Sequence, residues 1–134
     1  MKALELDSNL AEAHNNLGVI YKNEGKYQAA IAEYTKAIEI NPSLGQAHDN
    51  LGNIYLALGL VKQAVAAFER CLEIDPYNPR AHNNLGVAYE EMGNYEDAIK
   101  EYKKATLLDP NLGEAHYNLG VAYGIIGEYD LSIE

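Results

Sequence analysis

Four histidines are the first residues in this chain that suggest chemistry. His14, His48, His82 and His116 are spaced 34 residues apart. A histidine set invites a metal or a proton relay, since neutral imidazole is a common ligand and titrates near neutral pH. Spacing argues against a shared ion. Residues one repeat apart on neighbouring helices lie on the order of 8–10 Å apart, whereas a histidine–metal bond is about 2 Å. No metal is expected, and the histidines read as packing residues that would loosen the fold if they charged near pH 6. Cys71 is the lone cysteine, which precludes an intrachain disulfide and reads as a small buried thiol. Phosphate-binding GxxxxGK[ST], GxSxG and HExxH patterns are absent. The acidic pairs Glu90-Glu91 and Glu96-Asp97 are adjacent, so on a helix they point to different sides. The chain reads as no enzyme, with no cofactor.

A second ladder holds the same period. Asn16, Asn50, Asn84 and Asn118 each follow their histidine by two residues. A carboxamide offers two N–H donors and an acceptor, so it can hold a peptide backbone irrespective of its side chains. The plainer reading is that asparagine suits a polar, tightly curved wall.

What must position these residues is itself periodic. Leu17-Gly18, Leu51-Gly52, Leu85-Gly86 and Leu119-Gly120 recur, as do Tyr21, Tyr55, Tyr89 and Tyr123, and Gly25, Gly59, Gly93 and Gly127. A fixed period in this range signals stacked supersecondary units. His14, Leu17, Gly18 and Tyr21 fall on one helical face, and Tyr27, Ala30, Ile31, Tyr34, Ala37 and Ile38 on another. Gly25 between them can take the left-handed conformation that closes a helix. Asn41-Pro42, Asp75-Pro76 and Asp109-Pro110 stop the second helix, because proline disfavours helix in the residue before it. Asn78-Pro79 reads as a cap and first turn.

The expected fold is all-α, an α-solenoid of helix-turn-helix repeats forming one domain. Residues 1–10 are the end of a preceding repeat. Repeats 1 to 3 span 11–44, 45–78 and 79–112, and a truncated fourth spans 113–134.

Over its whole length the chain resembles the tetratricopeptide repeat. Repeat 1 supplies Leu17, Gly18, Tyr21, Ala30, Tyr34, Ala37 and Pro42; repeat 2 Leu51, Gly52, Tyr55, Ala64, Phe68 and Pro76; repeat 3 Leu85, Gly86, Tyr89, Ala98, Tyr102, Ala105 and Pro110. Histidine replaces the family's tryptophan throughout. The resemblance implies a right-handed α-solenoid in which the first helix of each repeat lines a concave groove for a peptide or partner protein. The asparagine ladder is similar to that of O-GlcNAc transferase-type repeats. Residues at groove phases are then Asn15, Asn16, Val19, Asp49, Asn50, Asn53, Arg80, Asn83, Asn84, Val87, Tyr117, Asn118 and Val121. The co-chaperone branch of the family clamps a terminal carboxylate with two lysines, an arginine and two asparagines. Here one alignment retains Asn50, with Arg80 standing in for a lysine. Asn15, Val19 and Asn84 fill the other slots. The shifted alignment puts Asp49 and Glu114 where lysines belong, so a carboxylate clamp is not expected.

Bulk composition narrows the partner. A formal net charge of −10 over 134 residues opposes binding to nucleic acid or to an anionic membrane surface. The opening residues show no signal peptide and no stretch is long enough to span a membrane, so the expected location is cytoplasmic. The function expected is a protein–protein interaction scaffold or adaptor that binds an extended peptide or partner helix. Alternatives are a targeting module of a larger enzyme and a structural solenoid that self-assembles head to tail as a homo-oligomer. The self-association surface would comprise Leu4, Leu6, Tyr123, Ile125, Ile126, Tyr129, Leu131 and Ile133.

Overall fold

A computed structural model describes residues 2–133, with side chains described for residues 9–127. Among the described residues seven helices run: α1 Lys2–Asn23, α2 Tyr27–Ile40, α3 Gly45–Ala57, α4 Val61–Ile74, α5 Pro79–Glu91, α6 Tyr95–Leu108 and α7 Gly113–Ile133. No strand occurs among the described residues. The array is all-α and built from helix-turn-helix repeats. It divides into two compact units, residues 1–76 and 77–134.

The punctuation follows the chemistry of glycine and proline. Gly25, Gly59 and Gly93 take φ of 76, 78 and 81°, the left-handed region open to glycine. The N–H of Lys26, one residue on, reaches back to the Tyr21 carbonyl at 2.8 Å, and Leu60 and Asn94 repeat the bond to Tyr55 and Tyr89. Ahead of Pro42, Pro76 and Pro110, the C-cap residues Asn41, Asp75 and Asp109 leave the helix with φ near −135°. Asn78 caps α5, its Oδ1 accepting from the Ala81 N–H at 3.1 Å with Pro79 in the first turn.

Two turns implied by the repeat arithmetic are absent. Residues 2–23 form one helix, where residues 1–10 were expected to close an earlier repeat. Ser8 holds the slot that Pro42 and Pro76 hold elsewhere, so nothing there bars helical backbone. Helix α7 likewise runs through Gly127, the counterpart of Gly25, so no separate second helix forms in the fourth repeat.

In unit 1, α1 packs on α2, and α3 on both α2 and α4. Ala30, Tyr34, Leu51 and Ile54 form the core, with Val19, Tyr21, Ile31, Ile38 and Tyr55 against it. In unit 2, α6 packs between α5 and α7, around Ala98, Ile99, Tyr102 and Ala122. One small-to-aromatic lock recurs. A Cβ on Gly18, Gly52 or Gly86 would sit 2.5 Å from the ring of Tyr34, Phe68 or Tyr102 respectively. Glycine is needed there because the aromatic ring of the second helix occupies the space of a side chain.

Candidate functional site

Helices α1, α3, α5 and α7 carry every groove residue expected from the sequence. In unit 1, Asn16 is exposed and Val19, Asp49, Asn50 and Asn53 are half-buried. In unit 2, Arg80, Tyr117 and Val121 are exposed, and Asn84, Val87 and Asn118 half-buried. Asn15 and Asn83 depart from expectation. They are buried, at 3% and 2% exposure, and do not present their side chains on a surface.

The reason is a hydrogen bond between successive first helices. Asn50 Nδ2 donates to Asn15 Oδ1 at 3.0 Å, tying α3 to α1. Asn118 Nδ2 donates to Asn83 Oδ1 at 3.1 Å, tying α7 to α5. A rung of the ladder therefore spends one N–H on the preceding repeat. Asn50 and Asn118 are themselves half-buried. Each pair thus joins a buried acceptor to a half-buried amide donor.

Two of the histidines meet a carboxylate. His14 Nδ1 lies 2.9 Å from Glu33 Oε1, and His82 Nδ1 2.8 Å from Glu101 Oε1. An ionised carboxylate only accepts, so these Nδ1 atoms carry the proton. Each carboxylate also meets a lysine one turn on, Lys36 at 3.3 Å and Lys104 at 3.2 Å. Lacking a carboxylate in repeat 2, His48 donates through Nε2 to the Pro42 carbonyl at 3.1 Å. His116 does the same to Pro110 at 2.8 Å. The expected loosening on protonation does not suit His14 and His82, where a charged imidazole would pair with a carboxylate and not stand alone. Glu33 and Glu101 were missed from the sequence because they lie on the other helix, 19 residues on. Their signal was there: they are two periods apart and each precedes by three a cation of the series Lys36, Arg70, Lys104.

Electrostatics agree with these pairings. Hydrogen bonding from His14 holds the Glu33 carboxyl below its ordinary 4.5, against the opposing effect of burial. Burial pushes the Cys71 thiol up to about 12, with Asp49 and Asp75 adding to it, so this fully buried sulfur is inert. Among the described residues no group of three or more His, Cys, Asp or Glu side chains converges as a metal site would require. No helix among them is long and apolar enough to cross a membrane.

Of the self-association set, Leu4, Leu6, Tyr129, Leu131 and Ile133 lie outside the residues with described side chains. Ile126 packs on the unit 2 core. Ile125 lines a groove of about 470 Å³ with Tyr95 and Asp97. Tyr123 is 46% exposed, with Lys103 Nζ 5.6 Å from its ring centre.

Sequence and structure comparisons place this geometry among known proteins. A "TPR repeat" family profile matches residues 52–93 and 91–127, and a "Tetratricopeptide repeat" profile matches 11–44. No curated protein matches the chain significantly. Solved structures do. The first TPR of Spaghetti (RPAP3), bound to the HSP90 peptide SRMEEVD, is 25% identical with a TM-score of 0.87, covering 90% of this chain and 95% of that one. The Sgt2 TPR domain from Aspergillus fumigatus is 25% identical, with a TM-score of 0.88 and coverage of 92% and 83%. MamA is 26% identical, with a TM-score of 0.83 and coverage of 98% and 77%. Profile matches over more than half the chain, the glycine–aromatic lock and the shared fold converge: the chain belongs to the tetratricopeptide-repeat family, whose members are protein-interaction modules.

Proposed function

We propose that the chain is a non-enzymatic scaffold or adaptor that holds an extended peptide or partner helix against the exposed side of the paired first helices within a unit, α1 with α3 and α5 with α7. The observation that carries this is the amide series at a fixed period. Asn50 and Asn118 are each held by a hydrogen bond to the preceding first helix, and Asn16, exposed, and Asn53, half-buried, extend the polar series beside them. Prepaid ordering of this kind lowers the cost of gripping a flexible segment. Val19, Val87, Val121 and Tyr117 offer apolar contact beside the amides. A similar structure, 25% identical, holds an HSP90 peptide, which supports a peptide as the ligand class. The residues here do not favour one anchored by its terminal carboxylate, since Asn15 and Val19 replace cationic or amide slots and Asn15 is buried.

Selection from a displayed peptide library, followed by titration of the best binder, tests the reading. Asn16→Ala and Asn53→Ala leave the inter-repeat bonds intact and are expected to weaken binding about 3- to 10-fold each, the loss of one hydrogen bond. Circular dichroism confirms an unchanged fold. Undiminished affinity in both variants would sink the assignment.

A further inference from the structure

We propose that unit 1 carries a second binding site between α2 and α4, which seats a glutamate side chain of a partner segment between His48 and Arg70. The site appears when the three repeats are compared position by position. Repeat 1 has His14, Glu33 and Lys36; repeat 3 has His82, Glu101 and Lys104. In both, one carboxylate bridges an imidazole at 2.8–2.9 Å and an ammonium at 3.2–3.3 Å. Repeat 2 keeps the two nitrogen groups, His48 and Arg70, and puts Ala67 where the carboxylate belongs.

The space is open. A groove of about 550 Å³ lies over this position, lined by His48, Leu51 and Tyr55 of α3, Ala67 and Arg70 of α4 and Ile38 of α2. Ala67 is 8% exposed, as deep as Glu33 at 7% and Glu101 at 8%, so a carboxylate entering from outside can reach the same depth. Arg70 now holds Glu73 at 2.8 Å, both more than half exposed. Such a surface pair is weak and readily exchanged.

The tautomer of His48 adds a proton to the account. Its Nε2–H is committed to the Pro42 carbonyl, so neutral His48 offers only a lone pair at Nδ1. Seating a carboxylate there requires Nδ1 to take a proton from solvent, after which both ring nitrogens donate. Binding therefore takes up one proton, and a lower pH favours it. The charged groups lining the groove are Arg70 from α4 and Glu39 from α2; no described side chain of α1 lines it. Asp49 flanks His48 in sequence, and Glu73 is the group displaced from Arg70. Glu39 opposes an acid, so the cationic pair and the proton must outweigh it. The rest of the groove is largely apolar and open along the helices, which suits the stem and neighbours of a glutamate in a peptide.

Two probes test this on the full chain by NMR: N-acetylglutamic acid α-methylamide and its glutamine counterpart. Saturable shifts of the His48 ring and Ala67 methyl are expected with the glutamate probe alone. They should be at least about 5-fold tighter at pH 6 than at pH 8. Arg70→Gln is expected to weaken them severalfold. Ala67→Glu should abolish them, because its own carboxylate fills the site, with a melting temperature no lower than the parent's. A heptapeptide of alanine and leucine with one central glutamate is expected to bind about tenfold tighter than the amide by covering Leu51 and Tyr55. Equal shifts with the glutamine probe, or no saturation, would overturn the site. So would an Ala67→Glu chain that fails to fold, since the space would then not exist. A heptapeptide no tighter than the amide would overturn the peptide as occupant.

Discussion

Tyr34 and Tyr102 occupy one slot of the repeat and Phe68 the same slot between them. Tyr102 O–H donates weakly to Glu90 Oε1 at 3.4 Å, whereas the buried Tyr34 hydroxyl has no partner. An unpaired buried hydroxyl costs about 1–3 kcal/mol of desolvation. Tyr34→Phe is therefore expected to be neutral or to stabilise by up to about 1 kcal/mol in a denaturant titration, and Phe68 shows the ring alone suffices. Glu33 makes a pH prediction. Its folded value lies below the ordinary 4.5, so its contribution is present above that pH and is lost as pH falls through the folded value. Between pH 5 and 3 the parent chain is expected to lose more stability than Glu33→Gln, read from urea midpoints. Cys71 should resist alkylation at pH 8.5 in the folded chain and react only as fast as the chain opens, because its thiol is buried and raised to about 12. These pairings were only half legible beforehand. Their residue types recur visibly, but the partner helix brings Glu33 to His14, and a sequence pattern on one helix does not show that.

At the scale of elements, helix boundaries follow local chemistry and helix contacts follow shape. Gly52 and Gly120 hold equivalent places in the repeat, yet a Cβ at Gly52 would meet the Phe68 ring at 2.5 Å and one at Gly120 meets nothing within 4 Å. Gly52→Ala is expected to destabilise by about 1–3 kcal/mol through overpacking. Gly120→Ala is expected to stabilise by up to about 1 kcal/mol, the helix-propensity gain alone. Thermal melts of the two variants would show opposite signs; equal shifts would mean that the lock does not set helix spacing. The asparagine rungs also belong to this scale. That Asn15 and Asn83 turn inward as acceptors for Asn50 and Asn118 was not readable from their phase, because it depends on where the neighbouring helix is placed.

For the whole molecule, the net charge of −10 is spread over every repeat. Self-repulsion of that size opposes the compact state and is screened by salt. Raising sodium chloride from 10 to 200 mM, about a fourfold shortening of the screening length, is expected to raise the melting temperature by a few degrees. A fall would mean that the ion pairs of Glu33 and Glu101 outweigh the repulsion.

From its sequence alone this chain determined its period, its helix-turn-helix units and most of their boundaries, because glycine, proline and small residues act on the backbone within a turn of themselves. Tertiary structure decided what the period was used for. Packing of one helix on the next made two histidines into carboxylate partners and buried two of the asparagines. It also left His48 and Arg70 facing an open groove, where a third carboxylate is missing. Those outcomes depend on distances between helices, which no spacing along a single helix contains.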